Sequence, residues 1–410
     1  MSTASGEYVR QDISVSNEPA SDSELRRVLA VLCLTEITSW GILYYAFPVL
    51  AGQISAETGW SATALTAAFS AGQLVGAGAG IPVGRWLDRY GPRGVMSAGS
   101  VLGVLSLALV ASAQHIAWFF VGWLLVGAAK SAVLYQPAFA ALTRWHGVRR
   151  VRAMTILTLS GGLASTVFAP LTAAIAQRFD WRATYLILAV ILALLTVPAH
   201  WYGLRLRWPP HPVAAPGHAV SPDRAARSRE FLTLTVALAT TSFAVSAAVI
   251  LLVPLLIERG LSTSTAALAL GLGGAGQVLS RIGYGTLERH TRVRTRTALI
   301  LLGIAASTVL LGSLTTTTAL IAAAVLAGMA RGVLTLLKAT AVTDRWGTSH
   351  YARLSGLLAA PSIVASALAP FAATALAHVL GGYPRAFQLL GVCVVAAACL
   401  SAATIPRRGH

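Results

Sequence analysis

Apolar runs of about 20 residues recur along the whole chain, separated by short polar turns. That is the length a helix needs to cross a hydrocarbon core of about 30 Å at 1.5 Å per residue. Of 410 residues, 56% are hydrophobic and only 11% charged, too little polar surface for a soluble body of this size. We read spans at 28–50, 61–83, 95–113, 117–142, 153–176 and 183–203, then 231–256, 262–284, 297–314, 318–340, 353–379 and 386–404. The expectation is an all-α membrane protein with twelve transmembrane helices.

The net charge of +17 would suit a nucleic-acid partner if it formed one patch. Instead the arginines fall in alternate loops: 85–93, 149–152, 205–229, 289–296 and 407–408. The intervening loops, such as Gln114–His115 and Thr315–Thr318, hold little charge. This is the positive-inside pattern, and it places both termini in the cytoplasm. Nucleic acid is therefore excluded as a partner, and a bacterial cytoplasmic (inner) membrane is expected. Residues 1–25 are polar, with no apolar core or cleavage site, and read as a disordered cytoplasmic tail, not a signal peptide. Cys33, Cys393 and Cys399 lie in apolar segments, and neither they nor the scattered histidines show metal-ligand spacing. No metal or other cofactor is expected. No nucleophile–base constellation appears either, so an enzyme is the weakest reading.

Residues 204–230 are too polar to span and hold five prolines, which marks a cytoplasmic linker between an N-terminal six-helix bundle (26–203) and a C-terminal one (231–410). The two halves repeat. Gly59-Trp60-Ser61 matches Gly260-Leu261-Ser262 at an offset of 201, and Arg144-Trp145 matches Arg345-Trp346 at the same offset. Asp88-Arg89 matches Glu288-Arg289 at 200, and Arg182-Ala183 matches Arg385-Ala386 at 203. A duplicated six-helix unit implies two bundles about an axis along the membrane normal, with a solute site between them.

The run 84–93 (GRWLDRYGPR) resembles the helix 2–3 loop signature of the major facilitator superfamily, G-x-x-x-D-R-x-G-R-R, with Pro92 in place of one arginine. The resemblance covers essentially the whole chain and implies alternating-access transport of a small solute by a monomer. Within the superfamily, Tyr135-Gln136-Pro137, Arg144-Trp145, Arg149-Arg150, Gly161-Gly162, Pro170 and Trp181-Arg182 resemble the monocarboxylate and oxalate–formate branch. The helix 5 pattern of drug–proton antiporters is absent, as is the helix 11 lysine of the dicarboxylate exchangers. The resemblance gives a gating role to Gly84, Asp88, Arg89, Gly91 and Arg93, with Glu288 and Arg289 as the second copy. Physically, a carboxylate beside Arg89 and Arg93 can form a charge-assisted network at a helix end. The same residues would also serve as a plain topology determinant.

Charges inside the spans point to the solute site. The chain's two lysines, Lys130 and Lys338, both lie in apolar segments. Adding 201 to Lys130 gives Arg331, and each cation follows a matching glycine, Gly127 and Gly328. A buried cation costs about 2.5–3.5 kcal/mol or more at a helix centre, so both should face a cavity or a partner. The resemblance puts helices 4 and 10 on the central cavity, where two opposed cations would clamp an anion. Lys338, two turns beyond Arg331, reads equally as a relay or as a side chain snorkelling to the interface.

Glu36 is the carboxylate inside a span, on one helical stripe with Trp40 and Tyr44. It could exchange protons with a hydrated cavity, or form a fixed ion pair with Lys130. Arg281 follows Gln277 by one turn. Monocarboxylate carriers have an Asp-x-x-x-Arg pair there, so Arg281 is a candidate for the substrate carboxylate, with an ion pair to Glu288 as the alternative. Thr240, Thr241, Ser242 and Ser246 of helix 7 could line the cavity or satisfy backbone carbonyls. The reading is a proton-coupled carrier of a small organic anion, a monocarboxylate; the alternative is proton-coupled efflux of drugs or other xenobiotics.

Overall fold

The computed structural model describes residues 21–209, 222–401 and 404. Helix 1 runs Asp22–Thr58, helix 2 Ala62–Tyr90 and helix 3 Pro92–Ala111. Helix 4 has two segments, Ile116–Val133 and Tyr135–His146, and so has helix 5, Arg150–Gly162 and Ala164–Ala176. Helix 6 is Trp181–Gly203 and helix 7 Arg229–Glu258. Helix 8 comprises Thr263–Leu279, a 3₁₀ turn Ser280–Gly283 and Tyr284–His290. Helices 9 to 12 are Val293–Ser313, Thr317–Trp346, Tyr351–Val379 and Tyr383–Ser401. A short helix, Pro222–Ala226, lies in the linker.

By length and hydropathy ten segments among the described residues qualify as spans, one being the 61-residue stretch Ile116–Ala176 that holds both helix 4 and helix 5. Helix 8 is not among the ten, because its unbroken first segment is 17 residues long. Most of the tail read at 1–25 lies outside the described residues. Its last part is helical, since Ser21 and Glu24 form a capping box that starts helix 1 at Asp22. Residues 210–221 of the linker also lie outside them.

Helices 1–6 and 7–12 form two six-helix bundles. The repeat read from the sequence reappears in the packing. Helices 2 and 4 cross at Gly72 and Gly127, where a Cβ on Gly127 would lie 1.8 Å from the Gly72 carbonyl oxygen. Helices 8 and 10 cross at Gly273 and Gly328, where the corresponding distance is 1.9 Å. Each pair sits 201 residues from its counterpart. Only a residue without a side chain allows backbones this close.

The bundles meet through helix 2 on helix 11 and helix 5 on helices 8 and 10. The close contacts lie toward the arginine-rich loops: Gly84 against the Ala352 carbonyl, and Gly356 against that of Gly80. On the outside, Leu105, Val190, Leu194, Leu299 and Val392 are exposed, an apolar surface suited to hydrocarbon. This is a multi-pass membrane protein.

Candidate functional site

Helix 1 is deformed where it reaches the boundary between the halves. Residues Gly41–Tyr45 form a π-helical turn, and five residues before it the fully buried Glu36 sits one α-turn below Trp40. A π turn fits an extra residue and shifts everything after it around the axis. The stripe Glu36–Trp40–Tyr44 thereby gains Tyr45. Trp40 packs on Tyr44 at 5.3 Å and on Tyr45 at 6.4 Å between ring centroids. Gly41 permits the turn to approach Phe168 of helix 5, whose ring would lie 2.2 Å from a Cβ there.

Helix 4 breaks at Leu134, whose backbone is extended (φ −91°, ψ −164°), three residues before Pro137. A proline removes a backbone donor and crowds the preceding turn, so the break falls on its N-terminal side. The restart brings Tyr135 to 5.3 Å from Trp40. On helix 5, Gly161 makes room for the Tyr135 hydroxyl, 2.5 Å from where its Cβ would be, and Gly162 lies beside the Arg281 guanidinium. The Gly161-Gly162 pair, which the sequence offered only as a family resemblance, thus has a steric purpose.

The three cations expected at the site divide into two groups. Arg331 donates from Nε to Gln277 Oε1 at 2.6 Å, and lies in the electrostatic range of Arg281 and Tyr45. Arg281 is buried, donates to the Thr158 carbonyl of helix 5 across the boundary, and interacts with Tyr45 and Tyr135. Its Nε–H meets no acceptor among the described residues. Lys130 instead donates to Gln73 Oε1 and sits 4.7 Å from the Tyr44 ring centroid and 5.3 Å from that of Phe69. The cation that accompanies Arg331 is therefore Arg281, while Lys130 is held behind two aromatic rings. Each half nevertheless gives its cation one neutral glutamine as partner.

Two ion pairs left open by the sequence do not form. Glu36 and Lys130 make no salt bridge; both carboxylate oxygens of Glu36 lack a hydrogen-bond donor at bonding geometry among the described residues, though the Trp40 indole lies close by. Arg281 points to helix 5 and not to Glu288. Lys338 donates to Ser242 Oγ at 2.6 Å inside the C-terminal bundle, so it does not snorkel. On helix 7, Thr241 and Ser242 bond the carbonyls of Ala237 and Leu238, at 2.7 and 2.5 Å.

The expected gate differs from the pattern of its motif. Asp88 turns away from Arg89 and Arg93: its carboxylate accepts from the backbone N–H of Ala352 at 3.3 Å and of Arg353 at 2.9 Å. These donors belong to the first turn of helix 11, where intrahelical acceptors are missing and the dipole favours an anion. Arg89 lies over Tyr90, while Arg93 donates to the Trp201 carbonyl at 2.9 Å and stacks on its ring. Gly91 has φ +78°, and Trp208 of the linker covers it. In the second half, Glu288 lies in the field of Asp344, Arg296, Arg150 and Arg289, and Arg289 bonds its own helix at Gly285. The ion pair there is Arg296–Asp344 at 2.5 Å, both side chains buried.

Two duplicated helical bundles with an apolar exterior, and cations at the boundary between them, are an architecture suited to a membrane carrier. The sequence profile of the Major Facilitator Superfamily matches residues 29–319, and the chain belongs to that family. It is similar to human (Homo sapiens) monocarboxylate transporter 11, 29% identical over 266 residues, which are 61% of this chain and 53% of that protein. The chain thus spans about half the length of the monocarboxylate transporters it matches. In fold it is similar to the E. coli fucose:proton symporter FucP, with a TM-score of 0.72 and 14% identity over 91% of this chain and 97% of that one. The human organic anion transporter MFSD10 (TETRAN) superposes with a TM-score of 0.74 and 17% identity, covering 92% and 99%. These relatives and fold neighbours are transporters by name.

Proposed function

We propose that the protein moves a small organic anion, a monocarboxylate, together with protons by alternating access. The observation that carries this is the Arg281–Arg331 pair. Two guanidinium groups share one site, one of them with a buried Nε–H that meets no acceptor among the described residues, and they bond a carbonyl and an amide, neutral groups that leave both charges uncompensated. A carboxylate is the ligand that supplies both charge and acceptor geometry. The similarity to monocarboxylate transporters supports the same class. Glu36, buried beside a neutral indole and with no cation bonded to it, suits a carboxyl that carries a proton.

The positive-inside rule assigns the arginine-rich end to the cytoplasm. The contacts at Gly84, Asp88 and Gly356 then make the described conformation one closed to the cytoplasm. Uptake of radiolabelled monocarboxylates into proteoliposomes under an imposed pH gradient tests the proposal. Accumulation should follow an inward proton gradient, collapse with a protonophore and fail in Glu36→Gln. Proton-driven movement of lipophilic cations, with no carboxylate transported, would overturn it and favour efflux of xenobiotics.

A further inference from the structure

The two halves contribute unlike walls to the site. The C-terminal half brings Arg281 and Arg331. The N-terminal half brings a chain of partly exposed rings, Tyr135, Trp40, Tyr45 and Tyr44, with neighbouring centroids 5.1–6.4 Å apart. Tyr45 joins the walls, since its hydroxyl lies in the field of both arginines, and Tyr135 lies in that of Arg281. These rings therefore belong to the boundary between the halves and not to the lipid surface. Behind them the buried rings Phe47 and Trp123 fill the core of the N-terminal bundle, 5.0 Å apart.

A core needs only apolar volume, and the buried rings supply it. Rings left partly exposed beside a pair of cations have a surface to offer to a ligand. A small aliphatic acid would use the arginines and leave most of that aromatic surface wet. A planar ring attached to the carboxylate would meet ring faces and edges at the spacings aromatic pairs favour.

We infer that the preferred substrates are aryl carboxylates, the carboxylate held by Arg281 and Arg331 and the ring against Trp40, Tyr45 and Tyr135. This rests on the anion-carrier reading of the same site. The order of loading follows from the asymmetry: the C-terminal half captures the charge, and the N-terminal half selects the ring.

Benzoate and cyclohexanecarboxylate test it, because they share charge and carbon count and differ in planarity. Binding of each to the purified full-length protein is measured by thermal-shift titration, since a ligand that binds the folded state raises its stability. Wild type should bind benzoate roughly three- to ten-fold tighter, the range of an added aromatic pair. Trp40→Leu and, separately, Tyr135→Leu should bring that ratio toward one. Arg331→Gln should weaken both ligands and retain the ratio. Equal affinity in wild type, or a preference that survives both ring variants, overturns the aryl preference and leaves the anion reading standing. Absence of binding by either carboxylate overturns both.

Discussion

The carboxylate of Asp88 accepts a 2.9 Å hydrogen bond from the backbone N–H of Arg353, joining helix 2 of one half to the first turn of helix 11 in the other. A side chain 265 residues away thus does for helix 11 what a capping residue does locally. The N-cap position itself, His350, makes no side-chain capping bond. The contact exists only while the halves are closed at the arginine-rich end. Its energy therefore enters the balance between the two states of the carrier in full.

Asp88→Asn should shift that balance toward the state open at the arginine-rich end. The amide oxygen can still accept, so the loss is the charge on the helix terminus, about 1–2 kcal/mol for a partly buried group. That corresponds to roughly a 5–30-fold change in the state ratio. Alkylation of a cysteine at Leu87, buried beside Asp88, reads the shift: its rate should rise by that order in the Asp88→Asn background. An unchanged rate removes Asp88 from the gate.

The linker touches the same contact from two sides, and the magnitudes rank them. Trp208 donates its indole N–H to the Asp88 carbonyl at 3.2 Å, with the Arg144 guanidinium 4.7 Å from its ring centroid. Asp223 pairs with Arg353 at 2.5 Å, but Asp223 is 69% exposed. An exposed ion pair contributes under about 1 kcal/mol and is screened by salt, whereas a partly buried cation–π contact contributes about 0.5–2 kcal/mol and here adds to the indole hydrogen bond. Trp208→Ala should therefore open the seam more than Asp223→Asn, and only the effect of Asp223→Asn should vanish at high salt. The reverse ranking in the same alkylation assay would show that the linker holds the seam mainly by charge.

Span positions, the duplication and the presence of cations inside the spans were legible because each leaves a one-dimensional trace. Apolar length, loop arginines and the 201-residue offset carry them, and the glycine crossings of the structure fall on that offset. The partners of those cations left no such trace. Gln73 and Gln277 are 204 residues apart, outside the repeat register, yet each serves the cation of its own half. Tyr45 joined the site through a π turn, which periodicity at 3.6 residues does not reveal. Asp88 was legible as part of the loop motif, but its acceptor bonds across the two halves end on backbone N–H groups, which no side-chain motif displays.

The glycine crossings predict matched effects in the two halves. Gly127→Ala and Gly328→Ala each drive a methyl group into a backbone carbonyl under 2 Å away, which cannot move without separating two helices. Overpacking of this kind costs about 1–3 kcal/mol. Both variants should melt well below wild type by similar margins, while Gly78→Ala, whose Cβ would meet nothing within 4 Å, should not. Sharply unequal effects of the two crossing variants would mean that the crossings are not equivalent.

The last prediction separates the three cations. Arg281 and Arg331 lie in each other's field, so an anion between them would bond both, and losing either removes a charged hydrogen bond of about 1.5–3 kcal/mol. Arg331→Gln and Arg281→Gln should each weaken carboxylate binding by roughly 10–150-fold. Because one ligand is shared, the double variant should lose less than the product of the two. Lys130 acts from behind Tyr44 and Phe69, with Gln73 as its hydrogen-bond partner, so it contributes field and no direct bond. Lys130→Gln should weaken binding by less than about 1.4 kcal/mol, or ten-fold, and its effect should multiply independently with that of Arg331→Gln. Isothermal titration of the purified variants with one carboxylate gives all these constants. A Lys130 loss larger than that of Arg331, with strong coupling between the two, would instead place the ligand between Lys130 and Arg331, the symmetric clamp that the repeat alone suggests.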